Sequence, residues 1–183
     1  MKSTTEIRMM NVVLVGYRAA GKSTIGEKLA LKLGFNFYDV DRYIEPHIYP
    51  ETLTEFYSKV GEKGFRPLET KIVIKLCNRP QSVIAFGAGS LMRNRNQQAA
   101  KKNGFVIYVK VPAKELWNRI QSDPNSNHTR PNLAGGGFEE VQIFLRNREP
   151  DYLSCSNLIV DGMKPTAEIV QQIKQFYRSN LRT

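Results

Sequence analysis

The chain has 183 residues, of which 41% are hydrophobic and 24% are charged, as is typical of a single soluble globular domain. Its 27 basic and 17 acidic residues give a net charge of +10, which favours acidic or phosphorylated small ligands. The basic residues are spread out, which argues against a nucleic-acid-binding arm, and no apolar stretch is long enough to span a membrane. We therefore expect a cytoplasmic protein that binds neither nucleic acid nor a membrane, and the short domain with no obvious exposed apolar patch favours a monomer.

The first predicted strand leads into a phosphate-binding motif. Residues 1–8 are polar and predict a loose leader, whereas the valine-rich run at 12–15 indicates a buried parallel strand. Residues 16–23 match the pattern G-x-x-x-x-G-K-[ST], in which backbone N–H groups surround phosphate oxygens at a helix N-terminus. Lys22 can bridge the outer phosphates, and the Ser23 hydroxyl can ligate Mg²⁺. The predicted nucleotide ligands are Gly16, Ala19, Ala20, Gly21, Lys22, Ser23 and Thr24.

The elements that follow alternate between helix and strand. A helix is predicted at 23–33 and a strand at 35–40, after which Pro46 and Pro50 are expected to break the chain. Further helices are predicted at 52–60, 65–78, 94–102, 112–120, 138–148 and 166–181, and strands at 82–86, 105–111 and 158–160. Residues 122–137 have no apolar pattern and predict either a functional flap or disorder. This alternation predicts an α/β fold with a five-stranded parallel sheet flanked by helices in three layers.

Three strand ends carry residues suited to chemistry, and they are expected to meet in one cleft. They are the phosphate loop, the pair Asp39 and Asp41, and the run Gly87-Ala88-Gly89. On a continuing strand both carboxylates would point the same way, so that one serves Mg²⁺ and the other accepts a proton from the attacking hydroxyl. The alternative is a turn followed by a helix cap, because aspartate is favoured at both.

Several arginines are candidates for binding anions, although a solvated surface arginine is the usual case. Arg130 lies in the flap and could close over phosphates, and Arg119 could stack on an adenine ring. Arg66 and Arg148 lie near helix ends, and Glu69 could hold Arg66 through an i, i+3 pair. The two cysteines, Cys77 and Cys155, have no metal-ligand spacing and are predicted to be reduced, semi-buried thiols.

Taken together, these motifs resemble those of the shikimate kinases, in the same order and from about residue 10 to the end of the chain. The shared elements are the loop at 16–24, Asp39-Val40-Asp41, Gly61-Glu62 with Phe65-Arg66 and Glu69, Gly87-x-Gly89, Arg130-Pro131 and Arg148-x-Pro150-x-Tyr152. The resemblance implies a P-loop kinase fold with a substrate-binding subdomain at 41–78 and a lid at 122–137. It also implies ATP and Mg²⁺ as cofactors and phosphorylation of the 3-hydroxyl of shikimate, on the way to chorismate and the aromatic amino acids.

By resemblance, individual roles follow. Asp41 would act on the 3-hydroxyl, Arg66 and Arg148 would clamp the shikimate carboxylate, and the backbone of Gly87, Ala88 and Gly89 would complete the pocket. Lys22 and Arg130 would hold the ATP phosphates and act in catalysis, with Arg119 at the nucleotide. Ser23 and Asp39 would serve Mg²⁺.

The chain departs from the family pattern at two places. Ala88 stands where the family usually has a glycine, so a methyl group could crowd the substrate or strain the backbone. Asn132 stands where leucine is common, which could change how the lid packs. Alternatives to a shikimate kinase are a kinase for gluconate or a nucleoside monophosphate, a non-catalytic regulator that binds pathway ligands, and a nucleic-acid binder.

Overall fold

The computed structural model describes residues 10–123 and 137–181. The predicted leader at 1–8, residues 124–136 of the predicted lid, and Arg130 with them lie outside the described residues. In the part of the chain that is described, no helix is both long and apolar enough to cross a membrane.

Five parallel strands form one sheet in the order β2-β3-β1-β4-β5, which confirms the predicted architecture. The strands are β1 Asn11–Val15, β2 Asn36–Asp39, β3 Ser82–Ala85, β4 Gly104–Lys110 and β5 Leu158–Asp161. In the central register, Val13 pairs with Ile84 on one side and with Val106 on the other. The phosphate-loop strand therefore lies in the middle of the sheet.

Seven α-helices surround the sheet in the described ranges 10–123 and 137–181. They are α1 Lys22–Leu33, α2 Val40–Ile48, α3 Leu53–Cys77, α4 Asn94–Asn103, α5 Ala113–Ser122, α6 Phe138–Cys155 and α7 Thr166–Asn180, with a short 3₁₀ turn at Ser90–Met92. Helix α3 merges the two helices predicted at 52–60 and 65–78, and it bends at Gly61, whose φ of 65° and ψ of −178° are not helical. Helix α6 extends seven residues beyond the predicted end at 148.

The predicted break at Pro46 is wrong, because helix α2 continues through that residue. Val40, Ile44 and Ile48 recur at a spacing of four and are all buried, so α2 presents a continuous apolar face. Pro46 itself lies on the exposed side. Burial of that face offsets the backbone hydrogen bond that proline removes.

Alternate residues of β1 supply the cores on the two faces of the sheet. Val12 and Leu14 pack with α1, α5 and α7, whereas Val13 and Val15 pack with α2, α3 and α4. Because α1 and α4 leave the sheet on opposite faces, the crevice between the ends of β1 and β3 is the topological switch point where such sheets bind ligands.

The two cysteines are buried more deeply than predicted. Cys77 is 1% exposed and Cys155 is 3% exposed, and both are free thiols. Burial raises the pKa of the Cys77 thiol to about 12. The thiol of Cys77 is therefore protonated and part of the core.

Candidate active site

The phosphate loop connects β1 to α1 through backbone conformations that its glycines permit. Gly16 has a φ of +142°, and a Cβ there would lie 2.7 Å from the carbonyl oxygen of Val109. Gly21 has a φ of +89° and immediately precedes α1. Ala19 adopts the left-handed region without being glycine, with a φ of 62°. Both glycines of the motif are therefore required by the path of the backbone.

The side chain of Lys22, at the start of α1, folds back onto the phosphate loop. Its ammonium group donates hydrogen bonds to the carbonyl oxygens of Gly16, at 2.9 Å, and Tyr17, at 2.8 Å. The residue is only 6% exposed. The loop thus holds a positive charge in place at the N-terminus of α1, which itself favours anions.

A polar cleft opens beside this loop. The predicted nucleotide ligands that line it are Ala19, Gly21, Lys22, Ser23 and Thr24, and they are joined by Asp39 and Asp41. Gly16 and Ala20, which belong to the same loop, are buried and do not line the cleft. We call this space the nucleotide cleft.

Asp39 connects the loop to the corner between β2 and α2. Its Oδ2 accepts a hydrogen bond from the Ser23 hydroxyl at 2.5 Å, and its Oδ1 accepts from the backbone N–H groups of Asp41, at 3.0 Å, and Arg42, at 3.5 Å. A serine hydroxyl touching a carboxylate is a hard oxygen donor set, which fits Mg²⁺.

The expectation that Asp39 and Asp41 continue one strand is wrong. Strand β2 ends at Asp39, which caps α2, and Asp41 lies in the first turn of that helix. The turn-and-cap alternative therefore describes Asp39. Both carboxylates nevertheless reach the nucleotide cleft, because the cap turns the chain at the carboxyl edge of the sheet.

A second cleft adjoins the first and is lined by the predicted substrate-binding residues. Asp41, Arg66, Gly87, Ala88, Gly89 and Arg148 all line it. Among the described residues, the charged side chains that line both clefts are Arg18 and Asp41. We call this second space the acceptor cleft, because it receives whatever molecule faces the nucleotide.

Arg66 is fixed in the acceptor cleft by two carboxylates. Its Nη1 donates to Glu69 at 2.8 Å and its Nε donates to Glu62 at 3.0 Å, and the residue is 5% exposed. Glu69 also accepts from the Ser90 hydroxyl at 2.8 Å. Burial raises the pKa of Glu69, although the charge of Arg66 opposes that shift. The predicted pairing of Arg66 with Glu69 is therefore present in the structure.

The run Gly87-Ala88-Gly89 shows why two of its positions need glycine and the third does not. A Cβ at residue 89 would lie 2.3 Å from Arg66 Nη2, and one at residue 87 would lie 2.9 Å from Asp41 Oδ1. Ala88 is not among the non-glycine residues with positive φ in the described chain. The backbone strain considered for this alanine is therefore absent. Its carbonyl oxygen accepts a hydrogen bond from the Tyr152 hydroxyl at 2.5 Å.

The remaining predicted arginines differ in their placement. The Arg148 guanidinium lies 4.7 Å from the ring centre of Phe144 and 5.6 Å from that of Tyr17, within the acceptor cleft. Arg119 donates to Glu115 at 2.8 Å and to the carbonyl oxygen of Gly162 at 3.0 Å. It does not line the nucleotide cleft, and stacking on adenine stays a prediction.

Sequence reasoning did not single out Arg18 and Glu140, which both line the acceptor cleft. Arg18 occupies a position that the phosphate-loop pattern leaves unrestricted, so its residue type carried no signal. Glu140 lies in the first turn of α6, where an acidic residue ordinarily serves the helix end. Only the fold brings the two side chains together.

A phosphate loop at one side of a shared carboxylate and several arginines at the other define the class of P-loop kinases for small acidic molecules. The comparisons narrow this class. The family model for shikimate kinase matches residues 18–178, and the chain belongs to the shikimate kinase family.

The chain is similar to shikimate kinase 2 of Dickeya chrysanthemi, at 34% identity over 168 residues that cover 91% of this chain and 95% of that protein. It is also 34% identical to shikimate kinase 2 of Salmonella dublin over 166 residues, or 90% of each chain. Among solved structures, shikimate kinase from Acinetobacter baumannii in complex with shikimate has a TM-score of 0.86 at 30% identity and covers 94% of each chain. A gluconokinase from Sinorhizobium meliloti, covering 96% of this chain and 95% of its own, has a TM-score of 0.58 at 16% identity, which shows the common fold alone.

Proposed function

We propose that this protein transfers the γ-phosphoryl group of ATP to the 3-hydroxyl of shikimate, giving ADP and shikimate 3-phosphate. The observation that carries the proposal is the position of Asp41. Its side chain lines both the nucleotide cleft and the acceptor cleft, and two arginines suited to a carboxylate line the second. Membership of the shikimate kinase family identifies the acceptor.

On the nucleotide side, the loop amides and Lys22 hold the phosphates of ATP. Binding lets the Lys22 ammonium group exchange its two carbonyl acceptors for phosphate oxygens of higher charge. Ser23 and Asp39 are the residues that would hold Mg²⁺, which neutralises charge on the phosphate oxygens when bound. Arg119 beside the loop, and Arg130 in the proposed lid at 122–137, are further proposed ligands of ATP.

On the acceptor side, Arg66 and Arg148 hold the shikimate carboxylate, which orients the ring in the cleft. Arg66 suits this role because Glu62 and Glu69 fix its guanidinium before the substrate arrives. Asp41 accepts the hydrogen bond of the 3-hydroxyl and takes its proton as the new oxygen–phosphorus bond forms. The backbone of residues 87–89 closes the pocket, and residues 41–78 form the substrate-binding subdomain. We further propose that the protein acts as a cytoplasmic monomer without nucleic-acid or membrane partners.

The proposal is tested by ADP release in the presence of MgATP with shikimate, quinate, gluconate or AMP as the acceptor. We expect turnover with shikimate, and mass spectrometry should find one added phosphate on the product. Turnover with a different acceptor alone would contradict the proposed substrate. Binding of ATP and shikimate without ADP release would instead indicate a regulator, and Ala88→Gly is then the first variant to examine.

The site assignment has its own test. Asp41→Asn removes the proton acceptor at nearly constant shape, and Arg66→Ala removes one partner of the carboxylate. We expect a loss of kcat of about 100-fold or more in the first variant, in the range typical of general base catalysis. The second should mainly raise the KM for shikimate. Wild-type activity in both variants would overturn the assignment.

A further inference from the structure

We propose that Arg18 is a further catalytic residue, whose guanidinium contacts the phosphoryl group during its transfer, and that Glu140 is the residue that positions it. This inference rests on the proposed phosphoryl transfer and adds a role to a residue that the phosphate-loop pattern leaves open.

The position of Arg18 carries the proposal. A phosphoryl group that passes between two bound molecules must cross the boundary between their clefts. Among the described residues, the charged side chains that line both clefts are Asp41 and Arg18. Asp41 supplies the carboxylate that accepts the proton of the attacking hydroxyl group. Arg18 supplies a positive charge at the same boundary.

The chemistry requires a positive charge there. As the bond from the γ-phosphorus to the ADP oxygen breaks and the bond to the acceptor oxygen forms, charge spreads over the three remaining oxygens of the phosphoryl group. A donor that is already in place stabilises this charge without reorganisation during the reaction. The planar guanidinium suits the task because two of its N–H groups can reach two oxygens at once.

The other cations of the two clefts, Arg42, Arg66, Arg148 and Lys22, each line only one of them. Arg66 is bound by two glutamates at 2.8 and 3.0 Å, and Arg148 lies against two aromatic rings. Lys22 reaches the outer phosphates from the loop side, where it contacts the carbonyl oxygens of Gly16 and Tyr17. Arg18 begins on the same loop but extends toward the acceptor cleft.

Glu140 is an acidic partner of Arg18 in the acceptor cleft. Arg18 Nη2 lies 3.5 Å from Glu140 Oε1, which is longer than the 2.7–2.9 Å of a strong charge-assisted hydrogen bond. Both side chains are largely buried, with exposures of 12% and 2%. Glu140 therefore orients the guanidinium, and a phosphoryl group with more charge can take over its donors.

The test compares Arg18→Met and Arg18→Lys with the wild type and with Arg178→Met, an exposed arginine on α7 that lies outside both clefts. We expect Arg18→Met to lower kcat by about 100-fold, as is usual for one transition-state donor, with the KM for shikimate and the affinity for ATP changed by less than threefold. Arg18→Lys keeps the positive charge but loses the planar guanidinium with its paired N–H donors. Its kcat should therefore lie between those of the wild type and Arg18→Met. Arg178→Met should match the wild type.

Three further readouts separate catalysis from a structural effect. Wild type with ADP, aluminium fluoride and shikimate should form a tight complex that mimics the transferring group, and Arg18→Met should lose it while keeping its melting temperature. Glu140→Gln should lower kcat less than Arg18→Met, and the double variant should match Arg18→Met alone. Equal losses in the two single variants, together with lower melting temperatures, would mean that the ion pair is only structural and would overturn the proposal.

Three other results would also overturn it. A KM for shikimate raised tenfold or more at unchanged kcat would make Arg18 a carboxylate ligand, and unchanged constants would make it a bystander. Slow ATP hydrolysis without an acceptor tests Arg18 independently of shikimate, because water then takes the phosphoryl group. Failure of the wild type to use shikimate would contradict the proposed function, whereas equal hydrolysis by wild type and Arg18→Met would contradict the role of Arg18.

Discussion

The hydroxyl group of Tyr152 on α6 lies 2.5 Å from the carbonyl oxygen of Ala88, and this contact joins the helix to the floor of the acceptor cleft. Tyr152 is 1% exposed and its ring lies 5.1 Å from that of Tyr108. A buried hydrogen bond from α6 therefore fixes the loop at 87–89.

Removal of that hydroxyl should loosen the loop. We expect Tyr152→Phe to lower the free energy of unfolding by about 1–2 kcal/mol, because the Ala88 carbonyl is left without its buried donor. The KM for shikimate should also rise severalfold. Tyr177→Phe is the matched control, since the Tyr177 hydroxyl donates to the Met10 carbonyl at 2.8 Å, away from both clefts. Urea denaturation and steady-state kinetics measure both effects, and an equal rise of KM in the control would contradict the prediction.

Gly89 is the residue whose replacement should most directly disturb Arg66. A methyl group there would lie 2.3 Å from Arg66 Nη2, so the guanidinium must move from its place between Glu62 and Glu69. We expect Gly89→Ala to raise the KM for shikimate by about 10- to 100-fold, the usual worth of a hydrogen bond to a charged group. Ala88→Gly should change it less than threefold. If Gly89→Ala, like Ala88→Gly, binds shikimate as tightly as the wild type does, Arg66 is not a carboxylate ligand.

Asp39 offers a test of the proposed Mg²⁺ site that preserves the fold. Asparagine caps helices as well as aspartate does, so Asp39→Asn should keep α2 in place while it removes the charge beside Ser23. We expect the Mg²⁺ concentration for half-maximal activity to rise by about tenfold or more, because the metal loses an anionic ligand. Glu27→Gln, which alters an exposed carboxylate paired with Arg42, is the control. An unchanged Mg²⁺ dependence would remove Asp39 from the site.

Cys77 should make the protein less stable in alkaline solution. Its thiol has a pKa of about 12 in the folded chain against 9.0 for an unperturbed thiol, because burial disfavours the thiolate. The raised value means that stability is complete below pH 9 and falls as the pH rises toward 12. Between pH 8 and pH 10 we expect a loss of about 1.4 kcal/mol in the wild type relative to Cys77→Ala. Parallel urea titrations of the two proteins at each pH measure this difference, and equal pH slopes would contradict the prediction.

The sequence was most informative where local rules decide the structure. The strand at β1, the phosphate loop and α1 follow from a valine run and fixed glycine positions, and the alternation of elements led to the parallel sheet. Pro46 misled because burial of Val40, Ile44 and Ile48 outweighs a lost backbone hydrogen bond. The glycine at residue 61 predicts a break between two helices, but in the structure the chain returns to helix directly after the bend there.

Contacts between distant segments could not be predicted in the same way. Arg18 and Glu140 are 122 residues apart, and neither residue type is unusual where it stands. Tyr152 and Ala88 are 64 residues apart, and their contact depends on how far α6 extends past its predicted end. The strand ends at Asp39 because its side chain caps α2, and the apolar run at 35–40 did not show where that cap falls. These features need the packed fold.

The contacts of Lys22 also bear on the design of inhibitors. Its ammonium group already donates to two peptide carbonyls. A compound that binds this lysine therefore gains binding free energy only if its hydrogen bonds are stronger than the two neutral ones that they replace. A neutral acceptor would exchange one amide-like contact for another and add little affinity. Anionic groups, or compounds that fill the acceptor cleft and leave the lysine where it is, have the advantage. A fragment screen should therefore find anionic hits at the loop or against Arg66 and Arg148, and few uncharged hits that contact Lys22.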